Sequence, residues 1–140
     1  MLAPSPGLVV HYGYLWARER EAGAIEGRKD RPCVIVLVEP QPDVAPFVSL
    51  CPITHSPLGA PEQGVELPAA TKRRLGLDEE RSWVVVTEVN RFHWPGFDLR
   101  RTPEGREMWG ELPPVLLRAV IERLNVQGRQ GRLSAVGRDD

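Results

Sequence analysis

Cysteine is nearly absent from this chain: Cys33 and Cys51 are the only two among 140 residues. Neither sits in a CxxC pair or a Cys/His cluster, which excludes a sequence-encoded zinc ribbon and a disulfide-stapled scaffold. Both fall inside apolar, strand-like runs, so they read as buried thiols on strands that can be neighbours. An excess of charge is missing as well, since 18 basic side chains stand against 19 acidic ones for a formal net charge of −1. Bulk electrostatics therefore marks no nucleic-acid binder, and any such role has to come from local clustering. Long apolar runs are also lacking. No stretch approaches the length needed to cross a bilayer, and Met1–Gly7 lacks the charged n-region of a signal peptide. The expectation is a cytoplasmic protein with no membrane partner.

What remains suffices for one domain. A chain of 140 residues buries roughly two-thirds of the surface it exposes when unfolded, so neither a disulfide nor a metal is needed for stability. Its 41% apolar and 26% charged residues are ordinary for a globular protein. No internal repeat or linker divides it, which predicts a single domain over 1–140 with a core at 7–127. Residues 128–140 hold Gly128, two further glycines and little apolar content, and read as a flexible tail.

Alternation of Leu8, Val10 and Tyr12 against Val9, His11 and Gly13 predicts an opening strand within Gly7–Leu15. Trp16–Asp30 mixes charges of both signs with glycine and reads as a mobile connection. Cys33–Val38 is uniformly apolar, a central strand buried on both faces that Pro40 and Pro42 end. Phe47–Thr54 is a second such strand, whose Pro52 argues for a bulge or an edge near its end. Val65–Leu67 and Trp83–Val89 are further strands, and Ala69–Leu75 a brief helix stopped by Gly76. Leu116, Val120 and Leu124 at i, i+4 and i+8 predict a helix over Pro113–Val126, opened by Pro113-Pro114 and stopped by Gly128. Five short strands between turn signals indicate a small curved sheet or barrel.

The chemistry concentrates where a cationic loop, Gly27-Arg28-Lys29-Asp30-Arg31-Pro32, runs into the apolar strand from Cys33. A guanidinium fixed at the mouth of a buried strand holds a phosphate bidentately, and the adjacent proline removes backbone freedom there. Thr54 and His55 fall together at the end of the second strand. A hydroxyl and an imidazole at that point are candidates to meet the same anion, and His11 on the first strand is a further imidazole within reach, whereas His93 lies beside Trp94.

Arg31-Pro32 followed by Val34-Ile35-Val36, then Pro52-Ile53-Thr54, resembles the PemK/MazF family of bacterial toxins. Supporting pieces are Gly7-Leu8-Val9-Val10, Glu26, Glu66, Arg74-Leu75-Gly76-Leu77, Ser82 to Glu88, and Arg91, so the resemblance spans Gly7 to Leu124. It implies a mainly β fold, an SH3-like barrel of about five to seven short strands with a C-terminal helix. It further implies a homodimer that cleaves single-stranded RNA without metal or cofactor and is neutralised by an antitoxin. Carried over, Arg31 and Thr54 match the family's catalytic positions, Glu88 a frequent acidic one, and Arg91 the arginine of a later Arg-Thr-x-Asp stretch. Transfer of the phosphoryl group to the ribose 2′-hydroxyl also needs a proton acceptor and a donor, for which His55 and Glu88 are the candidates. Trp16 is the best stacking platform for an RNA base, with Arg28 and Lys29 as steering charges. Tyr12, Tyr14, Trp83 and Trp109 read as packing residues. Two other readings stay open: a barrel that poisons a protein target through its helix end, as CcdB-type gyrase inhibitors do, and an inactive member serving as a binding module.

Overall fold

The structure, a computed structural model, describes residues 2–25, 27 and 29–138. It is mainly β, with nine strands hydrogen-bonded into one sheet and three α-helices among the described residues. The centre is a long antiparallel hairpin of β2 (Arg31–Gln41) and β3 (Val44–Thr54). Runs of β-branched residues favour this extended backbone. Strand β1 (Leu8–Tyr12) pairs with the free edge of β2, with Val9 opposite Val34. Beyond β1 lie two short pieces, β7 (Leu99–Arg100) and β8 (Gly110–Glu111).

The other edge of β3 is shared. Strand β6 (Glu88–His93) covers Phe47–Leu50, and β5 (Trp83–Val85) covers Ile53 and Thr54, with β4 (Gly64–Glu66) outside β5. The predicted single strand over Trp83–Val89 is thus two, split at Val86-Thr87. The pairing sum changes between Val84↔Ile53 and Asn90↔Leu50, so the chain carries extra residues past Cys51-Pro52. Pro52 falls in this gap between the two partners, where its missing N–H interrupts neither ladder. Pro40, by contrast, does not end β2. The strand runs through it to Gln41 because a register shift between Glu39 and Gln41 accommodates the proline.

Strict alternation divides the apolar residues into two cores. Val9, Val34, Val36, Cys51 and Ile53 face helix α3 (Pro114–Arg129), whose Val120 and Leu124 are buried against them. Leu8, Val10, Tyr12, Cys33, Ile35, Val48 and Leu50 face the opposite way. The hairpin is therefore buried on both faces over Cys33–Val36 and Val48–Thr54, while Leu37, within the run expected to be buried, is 47% exposed. On this second side the sheet curls until Tyr12 of β1 stacks on Phe92 of β6 at 4.8 Å, although two strands separate them in the sheet. Backbone pairing among the described strands does not close the ring. Across the remaining gap the buried Asn90 carboxamide accepts from Leu15 N at 2.9 Å and donates to Leu15 O at 2.7 Å, which substitutes one side chain for a ladder.

Two short helices complete the frame. Helix α1 (Ala17–Glu21) interrupts what the sequence presents as a loop, and α2 (Ala69–Leu75) ends as predicted at Gly76, whose φ of 81° is the left-handed cap conformation. Helix α3 passes through Gly128 and stops three residues later than expected from that glycine. The predicted flexible tail is corrected as well. Ser134–Gly137 forms β9, parallel to β6, and the Arg138 guanidinium is buried. It donates to Gly13 O and Asn90 Oδ1 at 2.9 Å each, pairs with Asp98 and lies over the Tyr12 ring. Polarity hid this segment, because Val136 is its one buried apolar side chain among the described residues and a charge, Arg138, supplies the other anchor.

Arg138→Met is expected to lower folding stability by about 2 kcal/mol, the scale of hydrogen bonds to a charged group. The check is a lower urea midpoint at unchanged m-value. A variant as stable as its parent would show that this segment is no part of the folded core.

Candidate functional site

The hairpin register builds the site. Extending Cys33↔Pro52 by two residues sets Arg31, the first residue of β2, opposite Thr54, the last of β3. Their side chains line a cleft of about 670 Å³, walled on one side by α1 and on the other by the turn that follows α2. His55, Lys29 and Trp16 line it too, so five of the eight residues singled out from the sequence meet there. Arg28, and Glu26 of the resembling pattern, lie outside the described residues.

Arg31 is half-buried against the face of Trp16, its guanidinium carbon 5.0 Å from the ring centroid. Its one hydrogen bond among the described residues runs from Nη1 to Ile53 O at a long 3.4 Å, and its buried Nε has no acceptor there. Burial draws the guanidinium below its ordinary pKa, with the Arg18 charge adding to that pull and Glu19 opposing it. A cation held in place with most of its donors unused by the described residues is poised for an anion. Thr54 is buried, and its Oγ1 accepts from Ser56 N at 3.1 Å, which fixes the turn and leaves the hydroxyl proton available.

Trp16 is not an open stacking platform. It is only 8% exposed, belongs to the second core, and lies beneath both Arg31 and Arg18, the latter 4.7 Å from its centroid. Its part is to seat the guanidinium. Glu88 does not line the cleft: its Oε1 accepts from Tyr14 Oη at 3.1 Å and from Ala17 N at 2.9 Å, so it holds the start of α1. Burial, then the Glu88 charge, pushes the Tyr14 hydroxyl far above its ordinary pKa, which keeps it a hydrogen-bond donor. Arg91 is likewise remote, paired with Glu39 at 3.0 Å and stacked on Phe47. His11 packs edge-on against Trp109, with burial lowering its pKa, and His93 stacks on Phe47. Cys33 and Cys51 are free, buried, and one residue out of register on adjacent strands, with burial raising both thiols.

Two residues unremarked in the sequence complete the cleft. Lys72 is buried, and its ammonium donates to Asp78 Oδ1 and Ser82 Oγ at 2.7 Å each and to Glu80 O. Asp78 in turn meets His55, with Nε2 2.8 Å from Oδ2 and 3.1 Å from Oδ1. In sequence Lys72-Arg73-Arg74 is a plain basic run. The signal was Lys72 at i−3 from the buried Leu75, which turns it onto the inner face of α2 while Arg73 and Arg74 stay exposed. His55, Asp78 and Glu80 also bring three metal-ligating atoms, one nitrogen and two carboxylate oxygens, within 4.8 Å of one another. Lys72 already supplies positive charge to this group, which is an ion-pair network in its own right.

Desolvation raises the Asp78 pKa, but the Lys72 hydrogen bond and charge, His55, and the Glu80 backbone N–H together outweigh it and hold the carboxyl below its usual value. The stabilisation is therefore present above the unfolded pKa of about 3.9 and fades as pH falls through the folded value. Acid titration of stability for the parent and Asp78→Asn checks this: the gap between them should be present at neutral pH and close below about pH 4. A gap independent of pH would contradict the assignment.

Set beside known proteins, the chain matches no protein-family model and no curated protein.

Proposed function

We propose that the protein is an endoribonuclease of the PemK/MazF kind, which cleaves single-stranded RNA by attack of the ribose 2′-hydroxyl on the neighbouring phosphate. The observation that carries this reading is Arg31, a seated guanidinium that makes a single long hydrogen bond among the described residues and shares its cleft with Thr54 and His55. The curled, incompletely closed sheet with its long helix α3 supports reading the fold as an SH3-like barrel.

In this mechanism the scissile phosphate lies against Arg31, and charge that grows on its non-bridging oxygens is met by donors already in position. Thr54 donates its hydroxyl proton to the same oxygens. His55 is the imidazole lining the cleft and takes the proton of the 2′-hydroxyl. The 2′ oxygen bonds to phosphorus as the bond to the 5′ oxygen breaks, which leaves a cyclic phosphate and a free 5′-hydroxyl end. The departing oxygen collects its proton from the open side of the cleft. Lys29, exposed at the rim, steers the strand. A second copy of the chain and an antitoxin that fills the cleft are the protein partners this reading includes.

The purified chain is expected to cleave a defined single-stranded RNA with chelator present and to leave 5′-hydroxyl ends. Arg31→Ala should lose about 10²–10³ of that rate while retaining its fold. Equal cleavage by a folded Arg31→Ala protein would sink the assignment.

A further inference from the structure

Asp78 fixes which nitrogen of His55 does the chemistry. We infer that it is the positioning residue of this imidazole: its carboxylate holds the proton on Nε2 and leaves Nδ1 as the atom that exchanges a proton with substrate. The inference deepens, and for its kinetic part rests on, the reading of the cleft as an RNA-cleaving site.

A histidine just past a strand end, with its side chain 48% exposed, has freedom to turn. Here one edge of the ring is taken. Nε2 lies within hydrogen-bond distance of both Asp78 oxygens, and an ionised carboxylate only accepts, so the bond requires the proton on Nε2. The carboxylate is itself immobilised. Its Oδ1 receives the Lys72 ammonium at 2.7 Å and the Glu80 N–H at 3.1 Å, and Lys72 is anchored in turn by Ser82 and the Glu80 carbonyl. A buried ammonium with all three donors engaged is costly to desolvate, and this one serves to hold a single carboxylate against a single imidazole.

The other ring edge differs. The nearest acid to Nδ1 is Glu80 Oε2 at 3.6 Å, beyond hydrogen-bond distance and on a side chain that is mostly in solvent. Nδ1 therefore keeps its lone pair in the neutral ring and can accept the 2′-hydroxyl proton. Order runs in one direction, from the buried Lys72 through the half-exposed Asp78 to the reactive face of His55. Orienting partners of this kind typically change activity by 10–100-fold when removed.

The test reads the ring directly and then its consequence. Protein carrying ¹⁵N-histidine, studied by long-range ¹H–¹⁵N correlation at a pH where the imidazole is neutral, should show His55 as the Nε2–H tautomer. In Asp78→Asn that signal should become mixed or reverse, because a carboxamide can donate to Nε2. RNA cleavage by Asp78→Asn should lose about 10–100-fold in kcat with KM within about twofold, and Asp78→Glu should recover part of the loss. An Nδ1–H tautomer in the parent overturns the inference, as does an unchanged kcat in Asp78→Asn. Should that variant fail to fold, the parent tautomer and the kcat of Asp78→Glu decide. A parent that cleaves no RNA yet shows the Nε2–H tautomer, lost in Asp78→Asn, leaves the positioning intact and removes only the RNA-cleaving reading.

Discussion

Two side chains of β6 hold the segment between β1 and α1, and the cleft depends on that clamp. Asn90 pairs both ways with the Leu15 backbone, while Glu88 takes the Ala17 N–H and the Tyr14 hydroxyl. Between these anchor points lies Trp16, and on Trp16 lies Arg31. An arginine side chain left to solvent would sample many rotamers; seated on an indole and lined up by the hairpin, it presents its donors from one position. The acid at 88, suggestive of proton transfer when read in sequence, does more here as an acceptor for the first turn of a helix.

The clamp also explains how a nearly neutral protein offers an anion site. The cleft carries carboxylates from Glu19, Asp30 and Asp78 as well as cations from Arg18, Lys29, Arg31 and Lys72. The three carboxylates are engaged: Asp78 with Lys72, Asp30 with Arg100 at 3.8 Å, and Glu19 with the Trp16 N–H at 3.0 Å. Arg31 stands apart because β2 delivers it to a wall of aromatic and backbone groups rather than to a carboxylate. Recognition then rests on one underused guanidinium with low-dielectric backing, not on a basic patch.

Much of the fold was legible. The β-branched run at Cys33–Val38, the alternation of β1, the Gly76 stop and the apolar stripe of α3 are local signals, and each corresponds to an observed element. Departures share a cause. The break at Val86-Thr87, β9 and helix α1 are set by partners far away in the chain, respectively the two halves of the β3 edge, the exposed edge of β6, and the Glu88 carboxylate. The site divides in the same way. Arg31, Thr54 and His55 were visible because they border strong strands, whereas Arg91, singled out by the resemblance, is paired with Glu39 away from the cleft.

By itself the sequence determined the identity of the central hairpin, the burial of both cysteines and the meeting of an arginine at one strand's start with a threonine at the next one's end. Those follow from periodicity and from antiparallel register, which are local. Only the tertiary structure decided which charges are spent. Whether Glu88, Lys72, Asp78 or Arg138 faces solvent, a backbone amide or another charge depends on how far the sheet curls. That curl is set by packing between strands that are not neighbours in the chain, as Tyr12 against Phe92 shows.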